Sequence, residues 1–173
     1  SWFIRVSENR EKLVANNQRI QWKPASTGEG RFGNWLATAN DWNLSRSRYW
    51  GIPLPIWRIE DGSESRIIGS VAELKEACAD AVTKGLMQSN PLEGFEPGDL
   101  SEENYAQVDL HRHHVDEIIL ATEDGRPMHR ENDLIDVWFD SGSMPYAQYH
   151  YPFENEDLFK SQFPADFIAE GVD

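Results

Sequence analysis

The segment that starts at residue 70 carries the strongest helix signal in the chain. Ser70 and Glu73 form the S-x-x-E pattern of a capping box, in which the two side chains bond backbone N–H groups that the first helical turn leaves unpaired. Apolar residues follow at helical spacing: Val71, Leu74, Cys78, Val82 and Leu86. The pattern predicts a helix that begins after Ser70 and extends to about Leu86.

Two Asp-Gly pairs, a turn signal typical of β-hairpins, lie on either side of this helix. The first pair, Asp61-Gly62, separates two strand-like stretches within residues 56–68, and the second, Asp124-Gly125, does the same within 115–130. We therefore expect a hairpin–helix–hairpin module that covers residues 52–130.

The sequence on both sides of this module shows strands and helices in alternation. A strand at 2–6 precedes a helix expected from Ser7 to about Ile20, and residues 34–42 also have helical spacing. A further strand is expected at 134–139, ahead of a glycine-containing turn. Two loops are expected, at the glycines of 28–33 and in the long acidic stretch 89–107.

This order of elements predicts an α/β fold with one split core. Residues 1–51 and 131–173 would form that core, and 52–130 would be a small inserted α+β module. The first and last residues both have strand character (2–6 and 167–173), and an open strand leaves ladder groups unpaired. The chain is therefore expected to be a piece of a larger protein.

Charge and cysteine content exclude several classes of protein. The 30 acidic and 16 basic residues give a net charge of -14, which is wrong for a free-standing nucleic-acid binder. Apolar runs fall short of the roughly 18–20 residues that span a bilayer, so no membrane partner is expected. The single cysteine, Cys78, can form neither an internal disulfide nor a thiolate zinc site, and a reducing, cytoplasmic location fits best.

Two strand-to-turn junctions are candidate binding sites, because ligands of α/β proteins bind beyond the carboxyl ends of strands. At the first, Trp138 ends the strand 134–139. At the second, Glu170 and Asp173 flank Gly171 and could accept from ribose hydroxyls or hold an ammonium group. The alternatives are a core tryptophan and a solvated acidic turn.

The histidine-rich segment 109–114 is a weaker candidate for a metal site. If the segment is extended, His111 and His113 share one face, and Asp109 or Asp116 could add oxygen ligands. The alternative is a polar surface strand whose histidines bond carboxylates. No spacing here is diagnostic of a metal site, so none is predicted.

Basic and aromatic residues are close together in two stretches. Arg31 lies near Trp35, while Arg46 and Arg48 lie between Trp42 and the Tyr49-Trp50 pair. Guanidinium groups and aromatic faces together suit phosphates or stacked bases. The alternative is a structural cluster in which the arginines pair with nearby carboxylates.

Several long motifs resemble those of one enzyme family. Residues 42–57 match the W-x-x-S-R-x-R-x-W-G-x-P-x-P signature of the large class I aminoacyl-tRNA synthetases, and 136–148 read D-V-W-F-D-S-G-S-M-P-Y-A-Q, as in the isoleucine-specific members. Shorter stretches match in the same order along the chain, at 30–36, 109–112, 150–155 and 163–171. The resemblance covers the whole chain.

The resemblance implies roles for individual residues. Trp138 would line the pocket for the isoleucine side chain, and Glu170 and Asp173 would hold the aminoacyl-adenylate, with Gly171 allowing close approach of the backbone. The segment of Arg46, Arg48 and Trp50 would brace the core or face the end of the tRNA. The fold that the resemblance implies is a split Rossmann-like catalytic domain with an insertion.

The implied whole enzyme is an isoleucine–tRNA ligase, which activates isoleucine with ATP and Mg²⁺ and transfers it to tRNA(Ile). The family's H-x-G-H and K-M-S-K-S motifs do not occur in these 173 residues. No catalytic residue is therefore assigned within the chain, which alone is expected to bind no ATP and to be inactive. Relatives often carry zinc-binding cysteine pairs after P-I-P-I-W, but 58–62 has none, so no zinc is expected. The whole enzyme is expected to be monomeric.

Two other functions remain open on composition alone. Seven tryptophans and an acidic surface would also suit a carbohydrate-binding module or a piece of a glycosidase. The acidic loop 93–107 would suit a non-catalytic interaction domain.

Overall fold

The computed structural model describes residues 1–169, which form a mixed α/β structure with small sheets. Within this range the strands are β1 (Phe3–Ile4), β2 (Trp42–Asn43), β3 (Ser45–Arg46), β4 (Ile56–Arg58), β5 (Ser65–Ile67), β6 (Ile119–Ala121), β7 (Pro127–Arg130) and β8 (Leu134–Ile135). The helices are α1 (Arg10–Asn17), α2 (Ala25–Glu29), α3 (Arg31–Ala37), α4 (Val71–Thr83), α5 (Glu102–Tyr105), α6 (Arg112–Val115), α7 (Val137–Ala147) and α8 (Glu156–Gln162). A 3-10 helix at Val6–Asn9 precedes α1.

The strands of the described residues pair antiparallel in three sheets. One sheet pairs β1 with β2, a second pairs β3 with β8, and the third has four strands in the order β5-β4-β7-β6. The chain divides into two compact units, one of residues 45–137 and one of 1–44 together with the residues from Trp138 onward.

The four-stranded sheet and helix α4 enclose the core of the 45–137 unit. Its buried members are Trp57, Ile59, Ile68, Leu74, Ala77, Cys78, Leu92, Val115, Ile118, Leu120 and Met128. The largest of them, Trp57, also satisfies its one polar atom, because its indole N–H donates to the carbonyl oxygen of Ile118 at 2.9 Å. Of the predicted apolar stripe, Leu74 and Cys78 are buried in this core and Val71 packs against it.

Both ends of α4 have specific caps. The Ser70 hydroxyl accepts from the backbone N–H of Glu73 at 3.1 Å, and the Glu73 carboxylate accepts from the N–H of Gly69 at 2.8 Å. At the other end, the N–H of Gly85 bonds Val82 and that of Leu86 bonds Ala81, which is a Schellman motif. The predicted helix is confirmed, but it ends at Thr83, because the chain turns at Gly85 (φ +74°).

Both predicted hairpins form. Strands β4 and β5 pair around Gly62 (φ +73°), and β6 and β7 pair around Gly125 (φ +86°). Arg126 connects the two turns, since its guanidinium donates to Asp124 at 2.9 Å and to Glu64 at 2.8 Å. The second hairpin is shorter than predicted, because Val115 belongs to α6 rather than to a strand.

The acidic stretch 89–107 is more ordered than the predicted loop. Helix α5 forms within it, and the buried Asn104 organises the turn before the helix. The Asn104 amide donates to the carbonyl oxygens of Glu96 (2.9 Å) and Asp99 (2.7 Å), and its side-chain oxygen accepts from the N–H of Glu96. The Asn104 side chain therefore satisfies backbone groups that, in a strand, would be hydrogen-bonded to a neighbouring strand.

The predicted elements near the N-terminus need correction. Ser7 does not cap a helix; it donates through its N–H and hydroxyl to Asp41, and the α-helix runs only over Arg10–Asn17. The expected glycine loop at 28–33 is two helices, α2 and α3. Its glycines are needed for close packing, since a Cβ at Gly28 would lie 2.0 Å from the Trp22 ring.

Three further expectations from the sequence need correction. The strand at 134–139 ends at Ile135, and residues 137–147 form helix α7, which includes the expected turn at 140–143. The segment 109–114 is not extended, because α6 starts at Arg112. Residues 167–169 are not in a strand, and the remainder of that predicted strand lies outside the described residues. Over residues 1–169, no helix has both the length and the apolar character to cross a membrane.

Candidate functional site

A network of polar contacts on the 45–137 unit starts at a buried arginine. The Arg130 side chain is 1% exposed, and its Nε donates to the Asp116 carboxylate at 2.6 Å. Its Nη1 donates to the carbonyl oxygens of Leu54 (3.3 Å) and Asp133 (3.1 Å). The buried charge is thus paired and also ties β7 to the segments before β4 and β8.

Asp116 extends this network to the surface. Its second oxygen accepts from Nε of Arg112 at 2.9 Å, and Nη1 of Arg112 donates to the carbonyl oxygen of Arg48 at 3.2 Å. Arg48 is thereby held by its backbone, while its own side chain is exposed.

Arg46, in contrast to the exposed Arg48, is half-buried and pairs with a carboxylate. Its Nη2 donates to the Asp136 carboxylate at 2.5 Å, and that carboxylate is almost completely buried. The pairing of β3 with β8 places Arg46 close to Asp136, because Ser45 lies opposite Ile135 and Arg46 lies opposite Leu134 in the antiparallel register. The contact closes the point where the chain enters and leaves this unit.

Two aromatic side chains of the same segment face solvent. Tyr49 and Trp50 are both highly exposed, and the Trp50 ring lies 5.4 Å from the imidazole of His111. The predicted basic–aromatic stretch is therefore split. Arg46 is engaged in an ion pair, whereas Arg48, Tyr49 and Trp50 are presented on the surface; Arg31 and Trp35 belong to the other unit.

His111 leads into a cluster of imidazole and carboxylate groups. Asp109 accepts from Nδ1 of His111 at 2.7 Å and from its backbone N–H at 2.9 Å, and its other oxygen lies 3.0 Å from Nε2 of His114. The His113 and His114 rings are 4.1 Å apart. The backbone N–H of His111 is the main cause that lowers the pKa of Asp109 below 3.8, so this carboxylate is held in its charged form.

Trp138, the predicted isoleucine-pocket residue, lies in the first turn of α7 rather than at a strand end, and 60% of it is exposed. Its neighbour Phe139 contacts Trp42 with ring centroids 6.3 Å apart. The three other predicted substrate residues, Glu170, Gly171 and Asp173, lie outside the described residues. The predicted site is therefore described only at Trp138.

Sequence reasoning missed the central role of Arg112 and Arg130. Arg112 and Asp116 have the i, i+4 spacing of a helical ion pair, which was a usable signal. The partner of Arg130 is fourteen residues away across a hairpin, and no local pattern indicates it.

A cavity of about 540 Å³ lies in the other unit, between α1, α2 and α3. The buried Asn17 in its wall donates to the carbonyl oxygen of Gly28 (2.9 Å) and accepts from the indole N–H of Trp22 (2.8 Å). These two bonds give the Asn17 amide a structural role, so we assign no binding or catalytic residue to this cavity.

Comparison with known proteins gives a consistent result. The sequence model of "tRNA synthetases class I (I, L, M and V)" matches residues 1–173. The chain is 63% identical to the isoleucine–tRNA ligase of Porphyromonas gingivalis, 62% to that of Bacteroides fragilis and 57% to that of Cytophaga hutchinsonii, in each case over 100% of the chain. It spans only 15%, 16% and 14% of the length of these three relatives.

Proposed function

Since the chain belongs to the class I tRNA synthetases (I, L, M and V), we propose that it is part of the catalytic region of an isoleucine–tRNA ligase. The observation that carries this proposal is the 57–63% identity to isoleucine–tRNA ligases over the whole chain. The complete enzyme activates isoleucine with ATP and transfers the aminoacyl group to tRNA(Ile). The matched relatives do not favour the carbohydrate-binding and interaction-domain alternatives.

In this proposal Trp138 forms one wall of the isoleucine side-chain pocket. The exposure of its indole supports the assignment, because an apolar ligand gains free energy only by covering surface that is otherwise in water. Such a wall selects by shape and burial, and one methylene of substrate is worth about 1–3 kcal/mol. Glu170 and Asp173 hold the aminoacyl-adenylate, and Gly171 lets the backbone approach it.

The segment 46–50 has two roles in this proposal. Arg46 braces the core through its ion pair with Asp136, and Arg48 and Trp50 face the end of the tRNA. The support for the second role is that the backbone carbonyl oxygen of Arg48 accepts a hydrogen bond from Arg112, while Arg48 and Trp50 are both exposed. An exposed guanidinium and an exposed aromatic ring in one short segment suit a phosphate next to a stacked base.

Residues 1–51 and 131–173 are proposed to belong to a split Rossmann-like catalytic domain, with 52–130 as the inserted module. The pairing of β3 with β8 supports this arrangement, because it brings the start and end of the insertion together. The ATP phosphates and Mg²⁺ are bound by the complete enzyme through H-x-G-H and K-M-S-K-S motifs elsewhere in its chain. We further propose that the complete enzyme is a cytoplasmic monomer.

Isoleucine-dependent ATP–pyrophosphate exchange tests the function. The complete protein that contains this chain should show exchange, and the 173-residue chain alone should not. Trp138→Ala in the complete protein should raise the KM for isoleucine at least tenfold, since the lost indole contact is worth about 1.5–3 kcal/mol. Trp35→Ala is the matched control, because Trp35 is equally exposed, at 62%.

Exchange with leucine or valine but not isoleucine would contradict the assignment. A second comparison separates the two steps of the reaction. Arg48→Ala should slow transfer to tRNA(Ile) and leave exchange unchanged, whereas Arg19→Ala, at another exposed arginine, should change neither. An equal loss of both steps in Arg48→Ala would contradict the proposed tRNA contact.

A further inference from the structure

We propose that Asp109, His113 and His114 form a binding site for a divalent transition-metal ion of the zinc type. Each residue offers one ligand atom, and these three atoms all lie within 4.8 Å of one another. Two imidazoles and a carboxylate form a donor set that suits zinc, copper or nickel, whereas magnesium and calcium prefer oxygen ligands alone. This site is independent of the proposed synthetase activity.

The spacing of the ligand atoms is close to that of a metal centre. Zinc bonds nitrogen and carboxylate oxygen at about 2.0–2.2 Å, so tetrahedral geometry places two ligand atoms about 3.3 Å apart. Nε2 of His114 and Oδ2 of Asp109 are already 3.0 Å apart. The ligand atom of His113 lies within 4.8 Å of the other two, so it must move by at most about 1.5 Å to reach this spacing, and its exposed side chain can do so by rotation about its own torsions.

The backbone under the cluster is fixed. His113 and His114 are adjacent in α6, and both ends of that helix are tied down. Arg112 bonds Asp116 and Arg48, and Asp116 in turn pairs with the buried Arg130. A metal site on such a support costs little ordering free energy, because only side-chain torsions are lost on binding.

His111 orients the carboxylate. Its backbone N–H and its Nδ1 both contact Oδ1 of Asp109, at 2.9 Å and 2.7 Å. Oδ1 is therefore occupied, and Oδ2 points to His114 and the site of the ion. Such an outer contact fixes the ligand direction and typically changes metal affinity by about 10–100-fold. His111 is thus a positioning residue, and the exposure of the three ligands leaves a coordination position for water.

Zinc titration of the full 173-residue chain, expressed without a histidine tag and treated with a chelator, tests the site. Calorimetry should show one saturable zinc ion per chain. His113→Ala and His114→Ala should each weaken the affinity more than tenfold, and His111→Ala should weaken it about tenfold while one ion still binds. His129→Gln, at an exposed histidine on β7, is the matched control and should leave the affinity unchanged.

Cobalt substitution gives a readout that does not depend on the variants folding. In the unmodified chain, Co²⁺ should give visible d–d bands without thiolate charge-transfer absorption, because Cys78 is buried in the core, and it should perturb the ring NMR signals of His113 and His114. Zinc binding that is absent, non-saturable, or equally strong in His113→Ala and His114→Ala would overturn the proposal. So would cobalt that perturbs His129 or His150 instead.

Discussion

Arg130 and Asp116 form an ion pair within the 45–137 unit, in which the arginine side chain is 1% exposed and the carboxylate side chain is 31% exposed. This difference in exposure decides how much stability is lost when either partner is removed. Asp116 could be hydrated if it lost its partner, but Arg130 could not, and a buried charge without a counter-charge is strongly destabilising.

Asp116→Ala should therefore lower the free energy of unfolding by about 3 kcal/mol. Urea denaturation followed by tryptophan fluorescence measures this change. Asp80→Ala is the control, because Asp80 pairs with Lys84 at 2.9 Å on the exposed side of α4, and such pairs are worth at most about 0.5 kcal/mol. Equal losses in the two variants would show that burial of Arg130 does not matter.

The Cys78 thiol should be unreactive in the folded chain. It is 0% exposed, and burial raises its pKa to about 11, so neither access nor thiolate is available at pH 8. Labelling with a thiol reagent should be slow in buffer and should accelerate with urea in step with the fluorescence transition. Rapid labelling before that transition would contradict the packing of α4 on the sheet.

Acid should destabilise the chain through its hydrogen-bonded aspartates. The hydroxyl of Thr122 is the main cause that lowers the pKa of Asp124 below 3.8, with the Arg126 guanidinium adding to it. A folded-state pKa below the unfolded value gives stability that is present above the unfolded pKa and is lost as the pH falls through the folded pKa. The loss should therefore begin near pH 4 and grow toward lower pH.

Urea midpoints measured between about pH 5 and pH 2.5 follow this loss. Asp124→Asn should reduce the slope of the midpoint against pH, because one of the carboxyls with a lowered pKa is removed. Glu123→Gln, at the adjacent exposed position, is the control and should keep the slope. A rise of the midpoint on acidification would contradict the sign of the effect.

Two glycines should respond oppositely to the same substitution. A Cβ at Gly85 or at Gly142 would meet no atom within 4 Å, but Gly85 has φ +74° whereas Gly142 lies inside α7. Gly85→Ala should destabilise the chain by about 1 kcal/mol through backbone strain, and Gly142→Ala should stabilise α7 by about 0.5–1 kcal/mol. Thermal unfolding of both variants checks the signs, and equal signs would contradict the Schellman turn.

Local signals predicted local structure. The capping box at Ser70 and the Asp-Gly turns at 61–62 and 124–125 were read from sequence because each depends on neighbours within a few residues. They placed α4 and the two hairpins where the structure has them. The same reasoning gave the hydrophobic stripe that includes Leu74 and Cys78.

Tertiary contacts overrode the local pattern elsewhere. The apolar run 134–139 has strand propensity, but its strand ends at Ile135, and Asp136 is drawn into the ion pair with Arg46 from ninety positions earlier. In the sequence, Gly28 and Gly33 are typical of a loop. In the structure they allow close packing, because a Cβ at Gly28 would meet the Trp22 ring and a Cβ at Gly33 would lie near the Asn17 side chain. In the candidate site, the sequence singled out Arg46, Arg48 and Trp50, but it could not show that Arg46 pairs with the Asp136 carboxylate while, in the part of the chain that the structure describes, Arg48 and Trp50 are exposed.

The stem formed by β3 and β8 has a mechanical consequence. It consists of two residue pairs, with Ser45 opposite Ile135 at the outer end. Tension applied at the two flanks of residues 45–137 would act on the same end of both strands. It would therefore break the residue pairs one after the other, by unzipping, rather than all at once by shear. We therefore expect the stem to open under such a load before the sheet β5-β4-β7-β6 unfolds, although the Arg46–Asp136 ion pair adds a side-chain contact to it.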